Sequence, residues 1–373
     1  MACAKVCIAQ VYRTIGAHRP FRYDAPHEVT KEQSVIARLS AIFAVAALLL
    51  GAGCEKPAPS GAAPVTRRPG AAPTERIAVV PKGTTHEFWK SVHAGAAKAG
   101  TEFGVEIVFR GPEREDDREQ QISLVQSLVS AKYSAIVLAP LDETALIGPS
   151  RDAMNQNIPV VIIDSALKGE AGKDFVSFVA TDNYKGGRLA AERLKAAMGG
   201  KGKALLLRYA EGSASTGARE QGFVDAITEG GGIELVDPKR YAGVTRATAQ
   251  DAAEALLSSN SDIAGVFTPN ESSTFGMLLA LRSRGMAGKV AFVGFDASDA
   301  AVEGLRKGEL AGIVLQSPLR MGYLGVKTAV EKLRGIEVDA NVDTGVTLAT
   351  KDNLDSPELR ELLAPDFSAL QGK

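Results

Sequence analysis

Cysteine is nearly absent. The 373-residue chain has three, Cys3, Cys7 and Cys54, and none in the long remainder, so no disulfide framework or thiolate metal site can form there. Histidine is also scarce, with four residues. His86 is followed by Glu87, as at the start of a zinc-protease helix. That motif needs a second histidine four residues on, and Lys90 stands there instead. His93 is read as an ordinary half-exposed helix residue, and no metal site is expected. Neither sign of charge is in excess: the formal net charge is -1, which gives no field for steering nucleic acid. Catalytic signatures are missing as well. The chain has no G-x-x-x-x-G-K-[ST] loop and no G-x-S-x-G elbow. Its glycine clusters, "KGGRL" and "EGGGIEL", do not join strand to helix in the order G-x-G-x-x-G, so no cofactor is expected.

The N-terminal segment reads as targeting. After Arg38 comes "LSAIFAVAALLLGAGC", shorter than the roughly 20 apolar residues of a bilayer span. A positive flank, a short apolar stretch and small residues describe a secretory signal. Cys54 directly follows the small residues and resembles a bacterial lipobox cysteine, with Gly51 where leucine is usual. Lipid anchoring to a membrane through Cys54 is the expectation, which places the chain in the periplasm or cell envelope. The mixed-charge stretch before this signal does not fit it and points to a later translation start. Residues 1–53 are read as upstream extension and lipoprotein signal. Residues 54–75, rich in Pro, Ala and Gly, are read as an unpacked tether.

From Arg76 onward, short apolar runs alternate with helical patterns. "IAVVP", "VEIVFRG", "AIVLAP", "PVVIIDS", "FVSFVATD", "KALLLRYAEG", "GIELVDPKRY", "AGVFTPN", "VAFVGFD" and "AGIVLQS" are near-continuous in Val, Ile and Leu. Strands buried on both faces read this way, which predicts parallel sheets covered by helices. Ile122, Val125, Leu128 and Val129 share one helical face, and Gly285 stands where a helix C-cap is expected. The alternation predicts an α/β doubly wound fold, and its repetition predicts two lobes facing one another across a cleft.

Open α/β sheets bind ligands at the carboxyl ends of their strands. Asp164, Arg219, Asn270, Asp296 and Gln316 all fall at strand ends or helix openings. These planar groups grip two neighbouring atoms at once, which suits adjacent hydroxyls. Each alone is equally a helix cap or turn residue. Phe88 shares a helical face with Val92, Ala96 and Phe103 and fits the core. Trp89, the single tryptophan, is rotated toward the predicted cleft and offers a flat apolar face to a sugar ring.

"IAVVPKGTTHEFWKSV", "VIIDS", "FVATDNYKGGRLAAERL", "STGAREQGF", "VFTPNESSTFGMLLAL" and "VGFDAS" together resemble the periplasmic ribose-binding protein family, the type I sugar-binding proteins of ABC importers. The resemblance runs from about Arg76 to the end. It implies two Rossmann-like lobes joined by a three-strand hinge, with 76–181 plus 317–343 in lobe one and 182–316 plus 344–373 in lobe two. It implies a monosaccharide ligand, stacked on Phe88 and Trp89, with hydroxyls held by Asp164, Arg219, Asn270, Asp296 and Gln316. An ABC permease and its ATPase are the implied partners. Several positions depart from the ribose pattern. Lys82 replaces a small polar residue, His86 replaces an asparagine, and Ser165 replaces the usual arginine. Lys82 and His86 are therefore expected to set the ligand preference, and the lost arginine is expected to leave room for a larger pyranose. Tyr241 is expected to supply an aromatic otherwise found near Val244.

Three other readings are weighed. A sensory receptor of the same fold would present the ligand to a membrane sensor. A repressor would need a DNA-binding head where the signal stands. A glycosidase would use Asp164 and Asp296 as its carboxylate pair. A binding protein without enzymatic activity is the expectation.

Overall fold

The computed structural model describes residues 75–370. The signal, Cys54 and the tether up to residue 74 lie outside them. The first apolar run forms β1 (Arg76–Val80). Alternation follows with α1 (Glu87–Phe103), β2 (Glu106–Phe109), α2 (Arg118–Ser130), β3 (Ala135–Leu138), α3 (Ile147–Asn155), β4 (Val160–Ile163) and β5 (Ser177–Ala180). The plan then repeats in a second sheet: α4 (Asn183–Ala197), β6 (Gly202–Leu206), α5 (Ala214–Thr228), β7 (Ile233–Val236), α6 (Arg246–Ser259), β8 (Gly265–Phe267), α7 (Glu271–Ser283), β9 (Ala291–Phe295), α8 (Asp299–Lys307) and β10 (Gly312–Leu315). The chain returns to the first sheet for α9 (Pro318–Leu333) and β11 (Asn341–Asp343). It finishes with β12 (Thr347–Ala349) in the second sheet, α10 (Pro357–Leu363) and a 3-10 turn, Ser368–Leu370.

Each lobe is built on a six-stranded sheet. Their orders are β2-β1-β3-β4-β5-β11 and β7-β6-β8-β9-β10-β12, so the two lobes have the same plan. All pairings are parallel except β12, which runs antiparallel on β10. Central strands such as β3 and β4 are buried at every position, which is why they read as unbroken apolar runs rather than alternating ones. This is the type I periplasmic binding protein architecture. The chain crosses between sheets after β5, after β10 and after β11. At the first and third crossings, the Thr181 and Thr344 hydroxyls lie 3.4 Å apart.

Helix contacts repeat the symmetry. A Cβ on Gly95 of α1 would stand 1.8 Å from the Leu319 carbonyl oxygen, and one on Gly322 of α9 would stand 2.0 Å from that of Val92. In lobe two the same seam joins α4 to α5. A Cβ on Gly187 would stand 1.9 Å from the Arg219 carbonyl oxygen, and one on Gly222 would stand 2.1 Å from that of Tyr184. Only glycine lets backbones approach so closely. Arg219 is therefore placed by direct backbone contact with α4.

The tail departs from the expected lobe assignment. α10 follows it: Leu359 is buried in the lobe-two core, with Leu362 and Leu363 packed against that core. The final 3-10 turn instead packs on α1 of lobe one. Pro365 follows closely on α10 and favours an extended path over further helix. Half-buried Phe367, Ala369 and Leu370 then find their cover across the lobe boundary.

Candidate functional site

The strand order in each sheet reverses direction beside β1 and beside β6, which opens a crevice at the strand ends. The loops after β1, β4, β6, β8, β9 and β10 meet there. All nine residues singled out in the sequence, Lys82, His86, Phe88, Trp89, Asp164, Arg219, Asn270, Asp296 and Gln316, line one cavity between the lobes. Its volume is about 30 Å³, room for a water or two.

Asp164 and Asp296 are counterparts. Each directly follows the fourth strand of its lobe, and each has a positive φ, 61° and 68°, a left-handed turn that aspartate tolerates better than most residues. Each backbone N–H still donates to the next strand, to Val179 O at 3.3 Å and to Val314 O at 2.9 Å. The chain thus turns sharply while the ladder is kept, and the carboxylate is set at the cavity wall. Between the two carboxylates stands the Arg219 guanidinium. Its Nη2 is 4.0 Å from Asp164 Oδ1, and its Nη1 is 3.9 Å from Asp296 Oδ2. Arg219 Nε donates to Asn183 Oδ1 at 2.7 Å and Nη1 to the Pro269 carbonyl at 2.9 Å. The guanidinium also lies over the Phe295 ring, 4.0 Å from its centroid. Burial pulls the Arg219 pKa down, against the pull of Asp296 and Asp164.

Gln316 Nε2 donates to Asp296 Oδ1 at 2.7 Å. Burial pushes the Asp296 pKa up to about 6, against the opposing effects of Arg219 and Gln316. Two buried atoms, Arg219 Nη2 and Gln316 Oε1, have no hydrogen-bond partner among the described residues. Buried polar atoms are rarely left so, and here a donor and an acceptor both belong to residues of the cavity wall. Asn270 is more committed. Its side chain caps α7 through Ser273 N at 3.3 Å and donates to Ser272 Oγ at 3.2 Å, so one amide hydrogen is left for other use.

Lys82 bridges the two lobes. Its ammonium pairs with Asp164 Oδ2 at 2.9 Å and donates to Ser215 Oγ at 2.9 Å. The Ser215 N–H donates to Ser165 Oγ at 3.1 Å. Ser215 of the opposite lobe thus meets both Lys82 and Ser165 beside Asp164. A second network centres on Glu115, which the sequence reading missed. Its carboxylate takes His86 Nδ1 and Trp89 Nε1, both at 2.7 Å, and the Tyr209 hydroxyl at 2.8 Å. Burial opposes charge on both partners most strongly, yet their contact outweighs it. His86 is raised to about 9 and Glu115 is lowered to about 2. At neutral pH the pair is an imidazolium and a carboxylate. Trp89 is 3% exposed and meets Phe88 edge-on with ring centroids 4.9 Å apart. Both rings belong to the lobe-one core as well as to the cavity wall.

Tyr241 is 39% exposed and is not among the cavity residues. Tyr209, at the end of the β6 run, supplies the aromatic instead. Glu271 was also missed. It accepts from Phe88 N at 3.1 Å and from Arg246 Nη2 at 2.7 Å, which ties lobe two to the first turn of α1.

A model of the periplasmic binding protein domain matches residues 77–337. The chain belongs to this family. Among relatives of this periplasmic binding protein, a D-ribose/D-allose-binding protein of Pseudomonas aeruginosa is 30% identical over 285 residues, covering 74% of this chain and 88% of the relative. An ABC transporter solute binding protein from Agrobacterium vitis, solved with bound D-fucose, is 36% identical with a TM-score of 0.74, covering 77% of this chain and 99% of that one. A carbohydrate transporter solute binding protein from Agrobacterium radiobacter, solved with D-arabinose, is 35% identical with a TM-score of 0.74, covering 79% and 100%. The family match of this binding protein stops before β11, so α10 and the tail lie beyond it.

Proposed function

We propose that this periplasmic binding protein captures a monosaccharide between its lobes and delivers it to the permease and ATPase of an ABC importer, held at the membrane by a lipid on Cys54. One observation carries the reading: Arg219 stands between Asp164 of one lobe and Asp296 of the other, with unpartnered donor and acceptor atoms beside an aromatic wall. A ring with adjacent hydroxyls donates to such carboxylates and accepts from such a guanidinium. The same arrangement speaks against glycoside hydrolysis, because an arginine occupies the gap where a substrate would lie between two free carboxyls. The sugars bound by the relatives support this ligand class. The Lys82–Asp164–Ser215 contacts favour a ligand unlike ribose in its hydroxyl pattern.

Thermal unfolding against D-ribose, D-allose, D-arabinose, D-fucose and D-galactose tests the proposal. A true ligand at about 100 times its Kd adds about 2.7 kcal/mol and raises the melting temperature. A flat response to every sugar overturns the reading. A pH series adds a second check. A sugar hydroxyl donates to ionised Asp296, so affinity is expected to fall as pH drops through about 6. The stability of the ligand-free protein moves the other way. The folded pKa is raised, so this group's contribution is full below the ordinary aspartate range and is lost as pH rises through about 6. Asp296→Asn is expected to flatten both trends. Calorimetric affinities from pH 5 to 8 that do not change would remove Asp296 from the ligand's contacts.

A further inference from the structure

The C-terminal segment touches both lobes, and we propose that it is a strap that biases the cleft toward closure and slows its opening. It is rooted in lobe two, where Leu359 is 3% exposed and Leu362 and Leu363 pack against the same core. Its last described turn, Ser368–Leu370, lies on α1 of lobe one. Asp366 stiffens that turn by accepting from Ser368 N at 2.8 Å and from its hydroxyl at 2.9 Å. Those bonds, with a smaller effect from Lys98 of α1, hold the Asp366 carboxyl below its usual range.

Between the two anchors, Pro365 and Phe367 help line a cavity of about 430 Å³ whose other walls come from both lobes. Phe88, Asp296 and Gln316 line both this cavity and the cleft. The strap therefore passes directly over the boundary along which the lobes separate.

Parting the lobes must lift the 3-10 turn from α1 or drag α10 from its seat. The lobe-two seat includes buried Leu359, whereas the α1 contact is made by half-buried Phe367, Ala369 and Leu370. The weaker contact gives way first, so the strap releases from lobe one and stays with lobe two. Docking energy at α1 belongs only to the closed state, and any such term shifts the open–closed population. The cleft volume of about 30 Å³ makes opening a requirement for entry and exit. The strap thereby governs exchange without touching the ligand.

Trp89 is the single tryptophan and lines the cleft, so it reports opening with no ligand added. Acrylamide quenching of its fluorescence is measured well below the melting temperature in the full chain, in a variant ending at Ala364, and in Phe367→Asp. Both variants are expected to show quenching about five-fold stronger than the full chain, with the near-ultraviolet circular dichroism unchanged. Unchanged quenching in both overturns the proposal. So does a lowered melting temperature with unaltered quenching, because a tail that only buttresses lobe two gives that result. If the truncated chain does not fold, Phe367→Asp decides alone. No sugar enters the measurement, so its outcome is separate from that of the sugar panel.

Discussion

Arg219→Met should abolish sugar binding and cost about 3 to 5 kcal/mol of stability, the range for breaking a buried charge arrangement from one side. The two aspartates do not suffer equally. Asp164 keeps Lys82 at 2.9 Å, whereas Asp296 keeps only the Gln316 amide and the Glu271 N–H, at 2.7 and 3.2 Å. Asp296 already has its pKa pushed up to about 6 by burial, and losing the guanidinium lets burial push it higher. The variant should therefore be more destabilised at pH 7 than at pH 5, where protonation relieves the unpaired carboxylate. Urea unfolding at the two pH values measures this, and calorimetry with the best sugar of the panel measures affinity. Retained affinity would mean that the guanidinium is a structural brace and not a ligand contact.

Glu115→Ala should cost a comparable amount, about 3 to 5 kcal/mol, and should change the shape of the pH–stability curve. Three donors lose one acceptor: His86, Trp89 and the Tyr209 hydroxyl from the opposite lobe. In the native protein the His86 pKa is raised to about 9. Its contribution is full below about 6.5, the ordinary histidine value, and is lost as pH rises through about 9. Without Glu115, burial dominates and His86 becomes neutral at pH 7. Most of the stability loss between pH 7 and 10 should then vanish from the variant's curve. Glu115 itself is held near 2, so its own contribution persists above the usual carboxylate range and fails only as pH falls toward 2. A histidine NMR titration gives the microscopic check. A His86 resonance that still titrates near 9 in the variant would assign its charge to Glu271 and Asp296 instead.

The lobes were legible because burial on both faces leaves a mark in the sequence. Each of the ten apolar runs contains one strand. β11 and β12 left no such mark, being three-residue edge strands with partly exposed side chains. The strand-end residues could be found for the same reason, since topology places strand ends at the crevice. Glu115 could not. It lies in "GPEREDDRE", where acidic residues crowd a loop and no period separates the one that turns inward. Tyr209 follows the β6 run and had the same positional signal as Asp164, but "LLLRYAEG" offered several polar candidates in a row. The return of the tail to α1 depends on a patch of lobe one far away in sequence, which no local pattern encodes.

Gln316 is the last residue before the second crossing, with β10 ending at Leu315 and α9 beginning at Pro318. A side chain at the pivot has almost no lever arm. In the closing motion proposed above, Lys82 and Tyr209 would sweep toward their partners while Gln316 would barely move. On the proposed sugar-binding reading it would serve as a fixed datum, presenting the same amide to an arriving ring before and after closure. The ring would then take its orientation from that stationary point before the moving walls reach it.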